Sequence, residues 1–408
     1  MKKESYYSNF SLKLYVLCQK MPFLRKLKII LFFTDAILLM FIRKPKIQNS
    51  QKKQIIIMYN YAFGDGMIWL TAINGIRKLY PKNHYNITLI CQKGLNSIYE
   101  NSKLFDEIIP YNLTESTFNL KKRFGLFKLL RNKYYDIVID PIGANECTTN
   151  IFMSRAICAQ NKITIIDKIN MPVICPYWIS NIIYNQIIQI KDKHISLLEY
   201  YAELLRGLGL KDYNLELHKI ETVKPKIELP KKYFIVFPSA STQLKRWPIE
   251  NYAELIKRIY KSCKIPLLFC GTNSDLDSIN ELKQKIDDIP YIDIVGKTSL
   301  LEFIYVITKA EFIVTNDTST YHIGVINQVP TAIITGGYTY DRYVSYKFKN
   351  MDNYLKPYII VHKMDCFNCD NNCIKLKKQN KIWPCLNEIS IEDAWCIVKK
   401  MIDDQDRR

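Results

Sequence analysis

The sequence predicts an α/β protein made of two doubly wound, Rossmann-like domains facing a central cleft. Three observations carry this. The chain has 408 residues, more than one compact core organises and suited to two or three domains. Short apolar, β-rich runs alternate with helical patterns twice over. Between the two series lies a charged stretch that contains two prolines.

In the first series, strands are expected at 55–59, 87–91, 108–111, 137–140 and 163–166, with helices at 67–79, 120–132 and 149–159. A longer helix at 196–208 ends where Gly207 or Gly209 can take the left-handed C-cap conformation. Residues 221–232, with Pro225 and Pro230 among charges, read as a linker. The second series places strands at 233–237, 267–270, 292–295, 312–315 and 331–335, and helices at 249–262, 276–286, 300–308 and 321–327. The expected divisions are an N-terminal extension (1–50), a first domain (51–220), the linker, a second domain (233–345), and a cysteine-containing extension with a final helix (346–408). Ligands of such sheets bind beyond the carboxyl ends of the strands, so site residues are sought there.

Composition narrows the function classes. Hydrophobic residues are 48% and charged residues 24% of the chain, near the globular average, which excludes bulk disorder. Lys and Arg outnumber Asp and Glu by 58 to 39, and a formal charge of +19 favours polyanionic partners: nucleic acid, anionic lipid or a phosphorylated substrate. Lysines scattered singly among Ile, Asn and Tyr are equally a compositional habit. No nucleic-acid motif or aromatic-basic repeat accompanies the charge, so nucleic acid is not an expected partner.

Twelve cysteines, a polar basic N-terminus and no A-x-A-like cleavage site point to a reducing cytoplasm. The one membrane-like stretch, 29–42, holds Asp35 and is shorter than the ~20 apolar residues needed to span a bilayer. Lys13, Lys20, Arg25, Lys26, Lys28, Arg43, Lys44 and Lys46 flank it. Residues 11–46 therefore read as basic amphipathic helices, lying on an anionic membrane surface or packed on the protein's own core.

Polar turns fall at the strand ends. After the first strand comes Tyr61-Ala62-Phe63-Gly64-Asp65-Gly66 and then a helix. Asp65 there suits a general base held as an anion by the helix N-terminus, or an ordinary N-cap. In the second domain, Pro238-Ser239-Ala240-Ser241-Thr242-Gln243-Leu244-Lys245-Arg246-Trp247-Pro248 joins small hydroxyl residues to two cations, as a diphosphate requires. It lacks the glycine spacing of a Walker A loop. The turn Asn316-Asp317-Thr318-Ser319-Thr320-Tyr321-His322 offers further N–H groups and hydroxyls to phosphate; alternatively Thr318 or Ser319 caps a helix and His322 is an interior histidine.

The order of these pieces, with Gly296-Lys297-Thr298-Ser299-Leu300 between them, resembles glycosyltransferase family 9, the heptosyltransferases of lipopolysaccharide core assembly. The likeness spans about residues 54–335. It implies a glycosyltransferase-B type fold and an inverting, metal-independent transfer with no cofactor beyond a nucleotide-sugar co-substrate, ADP-heptose by family habit. Carried over residue by residue, it makes Asp65 the general base, Lys245 the diphosphate-binding lysine and Ser241 a phosphate-contacting hydroxyl. Asp275 becomes the acid that holds the nucleotide ribose, while Asp317, Thr318, Ser319 and His322 surround the donor's phosphates and sugar. Ser319 replaces the family's usual glycine, and Gly66 stands where a larger residue is common.

The acceptor so implied is lipopolysaccharide core or its lipid A-linked form, and the enzyme would work at the cytoplasmic face of a bacterial inner membrane. A transferase using a nucleotide-hexose or N-acetylhexosamine, a non-catalytic nucleotide-sugar-binding protein and a basic nucleic-acid-binding protein are the competing readings. Asp65 and Lys245 argue for catalysis.

Cys366-x-x-Cys369-x-x-x-Cys373, with Cys385 beyond, is the last constellation. Four thiolates can hold a structural zinc ion, and the first pair has knuckle-like spacing. The irregular spacing of the second pair suits reduced, packing cysteines as well.

Overall fold

The computed structural model describes residues 29–407 except 48, 49, 118, 147, 172, 287, 372, 378 and 379. The basic stretch expected on a membrane surface at 11–28 lies outside the described residues.

Two six-stranded, wholly parallel sheets form the framework. The first contains β1 (Lys53–Tyr59), β2 (Tyr85–Gln92), β3 (Glu107–Tyr111), β4 (Tyr134–Asp140), β5 (Cys158–Ile166) and β6 (Gln186–Gln189), in the order β3-β2-β1-β4-β5-β6. The second contains β7 (Phe234–Phe237), β8 (Leu267–Phe269), β9 (Tyr291–Asp293), β10 (Phe312–Asn316), β11 (Thr331–Ile334) and β12 (Tyr358–Ile360), in the order β12-β11-β10-β7-β8-β9. Numbered within its own sheet, each has the doubly wound order 3-2-1-4-5-6, whose strand direction of travel reverses at the pairs β1/β4 and β7/β10. The two sheets predicted from sequence are both present.

Helices cover both sheets because the central strands are apolar on both faces. Ile55, Ile56, Ile57 and Met58 of β1 are all buried, with Ile55 beside both Ile87 and Ile137. The edge strands β6 and β12 were not foreseen. They are four and three residues long; Gln186 and Gln189 at the ends of β6 are exposed, so that strand lacks the apolar run of a central one, and β12 is short.

The main helices are α1 (Ile29–Met40), α2 (Phe63–Ala72), α3 (Leu120–Leu130), α4 (Thr149–Ala156), α5 (Tyr177–Ile183), α6 (Leu197–Gly207), α7 (Ile249–Cys263), α8 (Leu276–Lys283), α9 (Leu300–Thr308), α10 (Ser319–Ile326) and α11 (Ile391–Asp406). Residues 221–232 are irregular and fall inside the second of two compact units. Gly209, just past α6, has φ +125°, which matches its expected role after the helix.

The chain divides into two compact units. The first holds the described residues up to Ala62, with Ile73–Lys193 and Tyr200–Tyr213; the second holds Phe63–Ala72, His194–Glu199 and everything from Asn214. This departs from a division by chain order, because α2 follows β1 directly yet belongs to the second unit. The reason is local: the Thr71 hydroxyl accepts the His218 N–H at 2.9 Å, and the start of α2 packs against the start of α10.

In the first unit, α1 is fastened along one face. Phe32, Asp35 and Leu39 are buried there, and Arg123 of α3 donates to both Asp35 carboxylate oxygens at 2.5 and 2.6 Å. Arg131 donates to the Leu39 and Ile42 carbonyls, each at 2.9 Å, closing the end of the helix. Among the described residues no helix is long and apolar enough to cross a membrane.

Candidate active site

The loops after β7 and β10 meet at the point where the second sheet reverses, since these two strands are neighbours. Asn316, the last residue of β10, fixes their geometry. Its amide donates to the Pro238 carbonyl at 2.5 Å. Its side-chain oxygen accepts the Trp247 N–H at 3.2 Å and the Tyr252 hydroxyl at 2.9 Å. Trp247 is buried and donates its indole N–H to the Ile389 carbonyl at 3.1 Å. The Trp-Pro element is thus a structural clasp.

The two cations of the β7 loop have different tasks. Arg246 donates to the Ala240 carbonyl at 3.2 and 3.0 Å and to the Ser278 hydroxyl at 3.1 Å, holding its own loop to α8. Lys245 donates to the Asp317 carboxylate at 2.8 Å and lies 5.2 Å from the centre of the Tyr338 ring. Asp317 is buried. Burial would raise its carboxyl, but the charge and hydrogen bond of Lys245, with smaller help from His322 and Tyr338, together hold it below the usual carboxylate range.

Thr318 is the N-cap of α10: its hydroxyl accepts the Thr320 N–H at 3.3 Å. Ser319 opens the helix. His322 is buried, bonded through Nδ1 to the Tyr346 hydroxyl at 2.8 Å. Burial lowers its pKa to about 4 against the pull of Asp317, so the ring is neutral near pH 7. The capping and interior readings of Thr318 and His322 are therefore realised; a ligand role is a further matter.

Asp65 belongs to the same compact unit. It lies in the first turn of α2, inside the helix and not at the N-cap position. A Cβ on Gly64 would stand 3.3 Å from the Ser319 Cα and 3.3 Å from the His322 ring, so α2 and α10 approach closely here. Asp65 is partly buried. Burial raises its carboxyl to about 6; Arg342 and Lys245 pull it down, and Asp317 adds to the rise. A carboxyl at about 6 is ionised near pH 7 and able to accept a proton there.

Three buried hydroxyls near these strand ends, Ser239 after β7, Thr320 in α10 and Thr339 after β11, have no hydrogen-bond partner among the described residues. The Tyr338 hydroxyl is buried near enough to Asp317 to steady its charge, yet outside hydrogen-bond geometry to any described group. Buried hydroxyls normally find partners, so these four are exceptions among the described residues.

Other predicted residues sit apart. Ser241 is exposed in the β7 loop. Asp275 ends a short 3-10 turn after β8, where its carboxylate accepts the Thr272 N–H and hydroxyl, both at 2.8 Å. Gly271, at φ +135°, leaves room for that carboxylate. The Gly296–Leu300 motif is a helix start: Ser299 caps α9 in a capping box with Glu302. Sequence reasoning missed Arg342, Tyr338 and Tyr343, which follow β11 and surround the acidic pair. The only signal was a polar, aromatic run after a strand.

Cys366, Cys369, Cys373 and Cys385 do come together, lining one small pocket with Phe367 and Trp383. Among the described residues, however, no three His, Cys, Asp or Glu side chains are arranged to hold a metal ion. The zinc expectation therefore finds no ready ligand set, and the thiols pack among apolar groups; a Cβ on Gly336 would come within 2.6 Å of the Cys385 sulfur. No disulfide joins the described cysteines.

Comparison with known proteins agrees with this architecture. The model of glycosyltransferase family 9 (heptosyltransferase) matches residues 123–336. Over 317 residues the chain is 23% identical to the lipopolysaccharide core heptosyltransferase OpsX of Haemophilus influenzae, covering 75% of this chain and 85% of that protein. A glycosyl transferase family 9 structure from Veillonella parvula aligns at TM-score 0.70 and 18% identity, over 88% of this chain and 100% of its own. The Escherichia coli ADP-heptose lipopolysaccharide heptosyltransferase II aligns at TM-score 0.61 and 16% identity, over 87% and 99%.

Proposed function

The chain belongs to glycosyltransferase family 9, and we propose that it transfers a heptose from ADP-heptose to a lipopolysaccharide core acceptor, with inversion and without a metal ion. The observation that carries the chemistry is the grouping of Asp65 with the Lys245–Asp317 pair in one compact unit. The names of the relatives supply the donor and acceptor class.

In the reaction, an acceptor hydroxyl attacks the anomeric carbon from the side opposite the diphosphate. The new C–O bond forms as the bond to the leaving phosphate oxygen breaks, and the hydroxyl proton passes to Asp65. Positive charge develops on the sugar and extra negative charge on the departing ADP. Lys245 and the N–H groups at the start of α10 stabilise the latter, which is the task a metal performs elsewhere. Asp317 orients the Lys245 ammonium.

A thermal-shift panel of nucleotide sugars tests this reading, because the right donor raises the melting temperature by mass action. ADP-heptose is expected to give the largest shift, undiminished by EDTA. A larger shift with a nucleotide-hexose or N-acetylhexosamine would change the donor and keep the family. Stabilisation by nucleic acid alone would overturn the enzyme reading.

A further inference from the structure

The first unit carries an apolar surface that the transfer chemistry does not use. The fastened face of α1 is Phe32, Asp35 and Leu39; the opposite stripe, Ile30, Phe33, Ile37, Met40 and Phe41, is between 58% and 82% exposed. Helix α5 extends it. Trp178 packs edge-on to Phe32 at 5.2 Å and beside Phe33 at 6.3 Å, while Tyr177 and Ile182 are also exposed. The surface is too large and too aromatic to be scattered solvent-facing residues.

Its rim is cationic. Exposed Arg43, Lys44 and Lys46 follow α1, and exposed Lys168 sits 4.9 Å from the centre of the Tyr177 ring. The only acid in either helix is Asp35, which is buried against Arg123. Because Arg123, Arg131 and Arg155 all bond to α1, the apolar stripe is presented by a fixed helix.

From this we propose that α1 and α5 together form a monotopic docking face, which inserts its Phe, Trp and Ile side chains into the interfacial layer of an anionic bilayer. It rests on the reading of the enzyme as one with a lipid-linked acceptor, and it adds α5 to the segment that sequence alone singled out. The described part of α1 spans ~18 Å against a ~30 Å hydrocarbon core, and its Asp35 face is bonded to Arg123, so in this proposal the helix lies in the interface. Trp and Tyr suit that layer because one end of each ring system is polar. Charge decides against two other occupants. A second copy docking by the same face would set Arg43, Lys44, Lys46 and Lys168 against themselves. Residues 1–28, with seven Lys or Arg against one Glu, would meet the same repulsion, whereas anionic lipid attracts both.

The test is flotation of the full-length protein with phosphatidylglycerol-rich and with phosphatidylcholine vesicles, run beside transfer to a soluble truncated acceptor. Binding is expected to the anionic vesicles, with tryptophan fluorescence quenched by acyl-chain-brominated lipid and that quenching lost in Trp178→Phe. Ile37→Ser/Ile182→Ser alters two exposed positions; it is expected to lower partitioning about tenfold or more while melting temperature and soluble transfer hold. Undiminished binding in that double variant overturns the docking face, and so does concentration-dependent self-association that the same variant abolishes. Failed transfer with vesicle binding intact would instead count against the enzyme reading and leave the docking face standing.

Discussion

Gly64 of α2 lies against Ser319 of α10, with room for a hydrogen but little for a methyl: a Cβ would stand 3.3 Å from the Ser319 Cα. This approach sets Asp65 beside Asp317 and Lys245. Gly64→Ala is expected to fold with a modest loss and turn over several-fold more slowly, because the helices must part by a few tenths of an ångström. Gly64→Val should cost ~1–3 kcal/mol, as overpacking does, and abolish most activity. Melting and steady-state kinetics of both variants check this; full activity in the Val variant would show that the close packing does not position Asp65.

Lys245→Ala removes the ammonium that faces Asp317. Donor affinity and turnover should both fall, with kcat/KM lower by ~30-fold or more, about 2 kcal/mol of transition-state stabilisation. Arg246→Ala should chiefly loosen the loop, because that side chain bonds the Ala240 carbonyl. Equal kinetic losses in the two variants would contradict the division of labour.

The acid limb of the pH profile follows from Asp65. A base must be ionised, so with its carboxyl at about 6, kcat/KM should drop as pH falls through that value. Arg342 opposes the rise, so Arg342→Gln should move the limb to higher pH. The stability linkage has the opposite sign to that of a salt-bridged carboxylate. Folding raises this pKa from 3.8, so ionising Asp65 costs stability as pH climbs from about 4 to 6. Asp65→Asn should therefore melt higher than wild type above pH 6 and lose that advantage near pH 4. A melting difference between the Asn variant and wild type that stays constant from pH 4 to pH 7 would remove the raised carboxyl.

In the first unit, Asp35 and Arg123 are both almost wholly buried. Removing either partner alone strands a buried group, and Arg123→Met or Asp35→Leu should each cost ~3–5 kcal/mol. The double variant should cost less than the sum. Additive losses would mean that the ion pair does not bind α1 to α3.

Much of this was legible in the chain. Central strands such as β1, β7 and β10 carry apolar runs, and polar turns at their carboxyl ends marked Asp65, Lys245 and Asp317. Position within a turn was less legible. Lys245 and Arg246 read as a matched pair, yet one faces a buried carboxylate and the other a backbone carbonyl, and only the 3-10 turn from Gln243 to Lys245 separates them. Asp65 read as a possible cap because periodicity does not fix where α2 begins. Arg342 was missed because it acts through space on a residue far away in sequence, from a segment with no apolar period. The thiol cluster was found by spacing, but spacing could not say that its surroundings would be apolar.

The central claim is that Asp65 takes the acceptor's proton while the donor is held by groups around Lys245. Asp65→Asn keeps the size of the side chain and removes the proton acceptor. Measured together, its turnover should fall by roughly 10²–10⁴-fold while the dissociation constant for the nucleotide sugar stays within about threefold of wild type. An Asn variant with full turnover would contradict the claim.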